Sequence, residues 1–213
     1  MIRYSQKVRD ILHFIEQYNF ITTRICANLF YKDDRFKIDV ARRVLNRLTN
    51  NGDIVANKNK YGKELIYQFK KSTISDHSYS LLNLYGEINN IVNRVEYFKL
   101  EETWNLANRR SDAHIIFNIT LNGKDVGKSY LIEYDKHHKT NPTEKYNSIY
   151  DSGEVQDWYK IKYNQDNYFP DVIIINYSGK CSKSDRDEYN IIGLDYNFTD
   201  LNQKVILPWL KGA

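Results

Sequence analysis

The sequence predicts an α+β protein made of two parts, a helical N-terminal part that ends in a β-hairpin and a C-terminal α/β sandwich. The chain has 213 residues, which is enough for two small hydrophobic cores. The charged residues divide the chain into the same two parts. Residues 1–71 carry 15 Lys and Arg against 7 Asp and Glu, while residues 72–213 carry 16 Lys and Arg against 20 Asp and Glu. We therefore expect a basic domain over residues 1–71 and an acidic domain over residues 76–213.

The composition excludes several classes of protein. Apolar residues make up 41% and charged residues 27% of the chain, as in an ordinary globular protein, and no apolar run reaches the length that crosses a bilayer. The first residues lead into an amphipathic pattern rather than an apolar signal core. Cys26 and Cys181 fit neither a disulfide framework nor a zinc motif. We therefore expect a cytoplasmic protein with reduced cysteines and no membrane partner.

Three helices are predicted in the N-terminal part from apolar residues that recur at helical spacing. The first covers residues 5–18, and the second is short and starts at an N-cap supplied by Thr22 or Thr23. The third covers residues 38–50. Its core stripe consists of Ile38, Ala41, Val44, Leu45 and Leu48.

The face of the third helix opposite this stripe is basic. Arg43, Asn46 and Arg47 point outward from it, and Arg42 lies at the edge of the stripe. Arginine side chains can bind guanine edges or phosphates, and an asparagine side chain can pair with adenine. These residues are therefore candidates for contact with double-stranded DNA.

A β-hairpin with a basic tip is predicted next. Two β-prone runs, residues 53–56 and 64–69, flank a polar segment that contains Lys58, Lys60 and Lys63. Three short helices followed by a basic hairpin are typical of a winged helix-turn-helix, whose third helix enters the major groove while the wing contacts the DNA backbone. We expect the lysines to neutralise phosphates. A winged helix that binds protein instead of DNA is the alternative.

The C-terminal part is predicted to combine helices and strands. A hinge over residues 70–75 leads into a helix that starts at Asp76 or Ser78, and a later helix has Asn141 as its N-cap and Pro142 in its first position. Strands are predicted over residues 94–102, 112–121, 128–135 and 170–176. This order favours an α/β sandwich with a crossover helix.

The dipeptide Asn122-Gly123 predicts a tight hairpin turn and therefore a strand register. A two-residue loop at this point would place Asp112 opposite Glu133, with Cβ atoms about 5 Å apart. Asp135 would share the face of Glu133, because side chains alternate along a strand. Carboxylates grouped in this way suit Mg²⁺ or Mn²⁺, which can bind a scissile phosphate and activate water. The alternative is that these acids merely cap strands at a solvated sheet end.

Short motifs in the chain resemble the replication-relaxation family of plasmid and mobile-element proteins. The family pairs an N-terminal winged helix with a domain similar to the PD-(D/E)xK restriction-endonuclease fold. The motifs that carry the resemblance are His77, Trp104, Ser111-Asp112-Ala113 where the family tends to have Pro-Asp-Ala, Glu133-Tyr134-Asp135, Lys145 and Tyr150. The resemblance implies a restriction-endonuclease-like α/β sandwich, with metal ligation by Asp112 and Glu133 and a contribution from Glu87.

The sequence departs from the nuclease motif at one position. Asp135 stands where that motif has lysine, two positions after the acid, so the charge is reversed. Lys136 is adjacent but should point to the opposite face, which leaves Lys145 as the candidate for a migrated lysine. His137 and His138 follow the strand and could bind metal or phosphate, although a polar strand end explains them equally well.

Three functions remain open from the sequence. The first is a DNA-binding accessory or regulatory protein of plasmid or mobile-element replication or transfer, with a nuclease-like C-terminal domain. The second is a metal-dependent DNA endonuclease, or nickase, in which Asp112, Glu133, Asp135 and Lys145 are catalytic. In the third, the C-terminal domain forms a homodimer. Trp158, Tyr159 and Tyr163 are candidates for its interface, with core packing as their alternative role.

Overall fold

The computed structural model describes residues 4–62, 64–121, 123–136 and 141–210. The chain forms two compact units, Met1–Ile91 and Val92–Ala213. One sheet has three strands and the other has five, and helices accompany both, so the predicted α+β class is confirmed. Over the described ranges, none of the helices combines the length and the hydropathy that a membrane span requires.

The first unit consists of helices around a small antiparallel sheet. Its elements are α1 (Gln6–Tyr18), β1 (Ile21–Thr22), α2 (Thr23–Phe30), α3 (Lys37–Asn50), β2 (Val55–Lys58), β3 (Leu65–Gln68) and α4 (Asp76–Ile91). The strand order is β1-β3-β2. The Thr22 hydroxyl accepts a hydrogen bond from the Ile25 N–H at 3.2 Å, as expected of an N-cap. The predicted helices and hairpin of this unit are confirmed.

The core stripe of α3 is narrower than predicted. Ala41, Leu45 and Leu48 are fully buried, whereas Ile38 is 37% exposed and Val44 is half-buried. The buried residues follow one line along the helix, and Ile38 and Val44 lie on either side of that line. The prediction that both belong to the core was therefore wrong for Ile38.

Helix α4 belongs to the first unit, although the sequence analysis assigned it to the second. It packs closely on α2, because a Cβ added at Gly86 would lie only 3.6 Å from the Cα of Ile25. Polar contacts join the same helices, since Glu87 pairs with Arg24 at 2.7 Å and the Asn89 side chain donates to the Asn28 carbonyl at 2.7 Å. The division between the units therefore follows α4 instead of preceding it.

The second unit contains the larger sheet. Its elements are β4 (Arg94–Trp104), β5 (Arg109–Leu121), β6 (Lys124–Tyr134), α5 (Pro142–Asp151), α6 (Glu154–Tyr163), β7 (Asp171–Ile175), β8 (Ile191–Leu194), a π-helical turn (Asn202–Ile206) and α7 (Leu207–Leu210). The strand order is β4-β5-β6-β7-β8, antiparallel from β4 to β6 and parallel from β6 to β8. The predicted strands and crossover helix are present. Helix α6, strand β8 and the C-terminal helical segment were not predicted.

Both faces of this sheet are covered. Leu131 packs on one face in a cluster that includes Tyr146 of α5 and Tyr159 of α6. Tyr130, the neighbouring residue on β6, points to the other face, where its hydroxyl donates to the Val205 carbonyl at 3.0 Å. The acids of β5 and β6 therefore belong either to the face under α5 and α6 or to the face under the C-terminal segment, depending on the register.

The predicted register of β5 and β6 is confirmed. Leu121 pairs with Lys124 and Ala113 pairs with Ile132, which is the pairing that a two-residue loop requires. Gly123 has φ of 77°, a conformation that glycine adopts without strain. Asn122 lies outside the described residues. One step beyond the last pair, Asp112 faces Glu133, as expected from the sequence.

The loop after β7 approaches β8 so closely that Gly193 has no room for a side chain. A Cβ at Gly193 would lie 2.6 Å from the Gly179 carbonyl oxygen. The buried side chain of Asn176 fixes this loop, because its Oδ1 accepts hydrogen bonds from the N–H groups of Ser178 and Gly179. The backbone at Gly179 therefore has little freedom to move away.

We expect Gly193→Ala to lower the free energy of unfolding by about 1–3 kcal/mol, because the added methyl group must displace backbone. Gly127→Ala on β6 is the matched control, since a Cβ there would meet Asn118 at an ordinary 3.4 Å. Chemical denaturation of both variants measures the difference. Equal stability of the two variants would contradict the close approach.

Candidate functional site

A buried carboxylate at the end of β6 is held by two side chains from α5. Glu133 is 6% exposed, and its Oε2 lies 2.5 Å from the Lys145 ammonium. The Tyr146 hydroxyl donates to the same oxygen at 3.2 Å. Asn141 caps α5 by accepting from the Glu144 N–H, which fixes where the helix starts and places Lys145 in its first turns. The predicted approach of Lys145 to Glu133 is therefore confirmed.

Asp112 lies at the same end of the sheet. Its Oδ2 accepts a hydrogen bond from the Tyr134 N–H at 2.7 Å, which ties it to the end of β6. Burial raises the pKa of Glu133, and the negative charge of Asp112 raises it further, while Lys145 acts in the opposite direction. The two carboxylates are thus close enough to influence each other, as the register predicts.

Asp135 and Glu87 complete the set of acids that the sequence predicts for the metal site. Asp135 is buried, and its N–H donates to the Ile175 carbonyl at 2.9 Å, which continues the pairing of β6 with β7. Glu87 belongs to the first unit and pairs there with Arg24. Within the described ranges, no group of three or more His, Cys, Asp and Glu side chains is arranged to hold a metal ion. His137 and His138 lie outside the described residues.

The donor set at this sheet end fits a divalent cation in part. Carboxylate oxygens are the ligands that Mg²⁺ and Mn²⁺ prefer, and Asp112 and Glu133 supply them. Lys145 and Tyr146 both contact Oε2 of Glu133, so Oε1 is the atom that could bind a cation. Lys145 already balances one negative charge of the pair. Asp112 and Glu133 could therefore hold one cation, with water or phosphate completing its coordination.

The outer face of α3 is basic, as predicted. The side chains of Arg42, Arg43, Asn46 and Arg47 are all exposed. Arg42 forms an ion pair with Asp39 at 2.8 Å. Arg43 and Arg47 form no ion pair with any described carboxylate, and the Nε of Arg43 donates to the Asp39 carbonyl at 3.4 Å. Their guanidinium groups are therefore available to an external anion.

The β2–β3 hairpin contributes one of its predicted lysines to the side that faces α3. Lys58 pairs with Leu65 and Ala56 pairs with Tyr67, so these side chains share one face of the hairpin. The Tyr67 hydroxyl on that face donates to Oδ1 of Asn46 at 3.4 Å. Lys58 therefore points to the same side of the unit as the polar face of α3.

The tip of the hairpin is anchored rather than free. The Tyr61 hydroxyl donates to the Ile74 carbonyl at 2.6 Å, and its ring lies 5.2 Å from the ring of Tyr79 on α4. Lys60 is exposed, and its ammonium lies 4.6 Å from the centre of the Tyr61 ring. Lys63 lies outside the described residues. The anchored tip gives Lys60 a defined position from which it can contact a phosphate.

The aromatic residues that were candidates for a homodimer interface contribute largely to the second unit's own packing. Tyr159 is 2% exposed and belongs to the core under α6. Trp158 packs against that core, while Tyr163 is 38% exposed. The ammonium of Lys162 lies 4.5 Å from the Trp158 ring and 4.2 Å from the Tyr97 ring. Of the proposed interface residues, only Tyr163 is substantially exposed.

A buried polar cluster on the same sheet face was missed by the sequence analysis. His114 is completely buried, and its Nε2 lies 2.7 Å from the Tyr159 hydroxyl and 3.3 Å from the Ser129 hydroxyl. Its Nδ1 lies 3.8 Å from Oε2 of Glu102 and has no hydrogen-bond partner among the described atoms. The signal that could have revealed the cluster is a polar residue at two inward positions, His114 and Ser129, of strands that are otherwise apolar there.

Burial and neighbouring polar groups act in opposite directions on the pKa values in this cluster. Burial lowers the pKa of His114, although the nearby Glu102 carboxylate acts in the opposite direction. Burial also tends to raise the pKa of Glu102, but the nearby His114 ring and hydrogen bonds from Lys99 and Tyr97 outweigh it and bring that pKa to about 2. A histidine that lies between a serine hydroxyl and a carboxylate is an arrangement typical of hydrolases. Ser129 is only 5% exposed, so its hydroxyl is shielded from solvent.

Comparison of the chain with protein-family models, with curated proteins and with solved structures finds no match. What the protein does is therefore inferred from its own residues.

The depressed pKa of Glu102 predicts how the stability of the second unit depends on pH. A carboxyl whose pKa is lower in the folded state stabilises that state above its ordinary value of 4.5, and this contribution is lost as the pH falls towards about 2. We expect the melting temperature of the wild type to fall more steeply over this window than that of Glu102→Gln. At neutral pH the variant should be the less stable of the two.

Glu101→Gln serves as the control for the loss of one negative charge, because Glu101 is the exposed neighbour of Glu102. Thermal unfolding followed by circular dichroism at several pH values compares the three proteins. Identical slopes for the two variants would contradict the assignment to Glu102.

Proposed function

We propose that the protein binds double-stranded DNA through its first unit, which acts as a winged helix-turn-helix with α3 as the recognition helix. The observation that carries this proposal is the pair Arg43 and Arg47, both exposed on the outer face of α3 and neither paired with a described carboxylate. Unpaired arginines repel each other on a small helix unless an anion offsets their charge. DNA supplies phosphates and guanine edges that suit this geometry.

The neighbourhood of α3 supports the same proposal. Lys58 shares a hairpin face with Tyr67, and Tyr67 contacts Asn46 of α3. A helix and a hairpin with positive charge on one side is the arrangement that a winged helix uses on duplex DNA. The net charge of +8 over residues 1–71 favours association with a polyanion.

We further propose that this DNA binding serves plasmid or mobile-element replication or transfer, as an accessory or regulatory activity. This role rests on the resemblance to the replication-relaxation family. It is supported by the second unit, whose sheet runs through antiparallel strands, a crossover helix and a parallel strand, as a restriction-endonuclease-like sandwich would. Binding to paired half-sites as a homodimer stays a prediction from the sequence.

We expect Arg43→Ala and Arg47→Ala each to weaken binding to duplex DNA by about threefold to tenfold at moderate salt, because each removes a contact to phosphate or base. The slope of log affinity against log salt should become less steep by roughly one if the lost contact is to phosphate. Fluorescence anisotropy with a labelled duplex, at low and moderate salt, measures both quantities.

Lys124→Ala is the matched control, since it removes one exposed positive charge from the second unit. It should bind as the wild type does. Wild-type affinity in both α3 variants would rule out α3 as the recognition helix.

A metal-dependent endonuclease, or nickase, is the second candidate function. The observation that favours it is the convergence of Asp112, Glu133 and Lys145 at one sheet end. A cation held there by the two carboxylates would supply charge for a scissile phosphate and lower the pKa of bound water. Lys145, which contacts Glu133, would orient that carboxylate and add a positive charge near the phosphate.

We expect Mg²⁺ or Mn²⁺ to raise the melting temperature of the second unit, because an ion that binds only the folded state stabilises it by mass action. Asp112→Ala should abolish the rise, and so should Asp112→Asn, which keeps a hydrogen-bond acceptor for the Tyr134 N–H. Asp125→Ala, which removes an exposed acid from β6, should retain it. Differential scanning calorimetry with and without the metal measures the shift.

A nicking assay on supercoiled plasmid with the same metals tests the activity itself. Conversion to open circles by the wild type, with loss in Asp112→Asn, supports the endonuclease. A thermal shift that is absent in the wild type, together with intact plasmid, would leave DNA binding as the function and the second unit without catalysis.

A further inference from the structure

A groove with a volume of about 670 Å³ lies beside α3 and is bounded by α2, β3 and α4. Its wall on α3 consists of Lys37, Ile38, Arg42 and Asn46, and β3 contributes Leu65 and Tyr67. The other charged residues that line it are Arg24, Glu64 and Glu87. The groove therefore runs along the flank of the helix that we assign to DNA. If α3 lies in the major groove of DNA, the base pairs there are within reach of these side chains.

The amide of Asn46 has a defined orientation in this groove. The Tyr67 hydroxyl donates to its Oδ1 at 3.4 Å, so the amide nitrogen is directed away from Tyr67. The residue itself is exposed. An asparagine amide presented to a base edge donates to N7 of adenine and accepts from its N6 amino group. Tyr67 acts here as a positioning residue for Asn46.

The same groove exposes apolar surface. Ile38 is 37% exposed and Leu65 is 42% exposed, and both line the groove beside Asn46. In the major groove, apolar side chains contact the methyl group of thymine, which the other bases lack. An amide and an apolar surface side by side are the groups that recognise the two bases of an A·T pair.

The two arginines that line the groove, Arg24 and Arg42, are less suited to guanine. Arg24 pairs with Glu87 at 2.7 Å. Arg42 donates to Oδ1 of Asp39 at 2.8 Å, which occupies part of its guanidinium fork. A bidentate contact with guanine needs two donors of that fork. Arg43 and Arg47 do not line the groove. They lie farther round α3 than Asn46, where their positive charge suits phosphates.

We propose that α3 recognises A·T base pairs in the major groove, with Asn46 contacting adenine, Tyr67 orienting Asn46, and Ile38 and Leu65 contacting thymine methyl groups. This inference rests on the proposed DNA binding and specifies the class of DNA sequence. The occupant of the groove is then the edge of a base pair. Its phosphates are held by Arg43, Arg47 and Lys58.

The test uses duplexes of equal length that differ only in their major-groove groups. One contains only A·T pairs, one contains the same sequence with uracil in place of thymine, and one contains only G·C pairs. The affinity of the full chain is measured by fluorescence anisotropy at one salt concentration. We expect the A·T duplex to bind about tenfold more tightly than the G·C duplex. Uracil should weaken binding by roughly threefold, because only the methyl contact is lost.

Variants assign each part of the preference to a residue. Asn46→Ala should lower the A·T over G·C preference from about tenfold to about threefold, which the methyl contacts retain. Tyr67→Phe keeps the ring and lowers the same ratio. Ile38→Ser should narrow the difference between the thymine and uracil duplexes, and Ile38→Ser combined with Leu65→Ser should abolish it. Lys58→Ala is the contrasting variant, since the loss of a phosphate contact should weaken all duplexes by a similar factor and leave the ratios unchanged.

The outcomes separate this inference from the function on which it depends. Failure of the wild type to bind any duplex at low salt would refute the DNA-binding proposal, and the inference with it. Binding without preference, or with preference for G·C, would leave DNA binding intact and overturn the inference. A full tenfold A·T preference in Asn46→Ala would overturn it as well, because indirect recognition of DNA shape would then account for the preference.

Discussion

The second unit depends on the register between β5 and β6. The pairing of Leu121 with Lys124 sets every pair down to Ala113 with Ile132, and the next step brings Asp112 opposite Glu133. A shift by one residue would move the side chains of one strand to the other face of the sheet. If β6 moved in this way, Glu133 would meet the C-terminal segment while Asp112 stayed on the opposite face, and Leu131 would leave the core under α5 and α6. Hydrophobic packing and the position of the acids therefore require the same register.

Placing polar groups on this face has an energetic consequence, because a buried charge is costly unless it is paired and hydrogen-bonded. Two buried carboxylates on this face of the sheet are stabilised in different ways. Glu133 receives an ammonium group and a phenol from α5, and its pKa is still raised by burial and by Asp112. Glu102 receives enough donors to bring its pKa to about 2. The first carboxylate is therefore the more responsive to an added cation, whereas the second is fixed as an anion.

The first unit distributes its polar groups differently. Helix α4 supplies Glu87 and Asn89 to α2, so the polar side of α2 is satisfied within the unit. On α3 the arginines at positions 43 and 47 point outward and lack a described carboxylate partner. Satisfied contacts stabilise the scaffold, while the remaining positive charge stays available for a ligand. This contrast between α2 and α3 is the physical basis for our proposal that α3 binds DNA.

The sequence by itself determined the features that depend on local pattern. Helical periodicity located α1 to α3 and their outward residues, and the Asn122-Gly123 dipeptide determined the register that joins Asp112 to Glu133. The capping residue Asn141 located α5 and, with it, Lys145.

Only the tertiary structure decided that α4 packs on α2, because an amphipathic helix after a hinge can pack on either neighbouring unit. Only the tertiary structure showed that Glu102, His114, Ser129 and Tyr159 form one cluster. These residues are distant in sequence, and the local sequence around each of them is compatible with ordinary packing. The tertiary structure also paired Glu87 with Arg24 inside the first unit, a contact between α4 and α2 that no local pattern specifies.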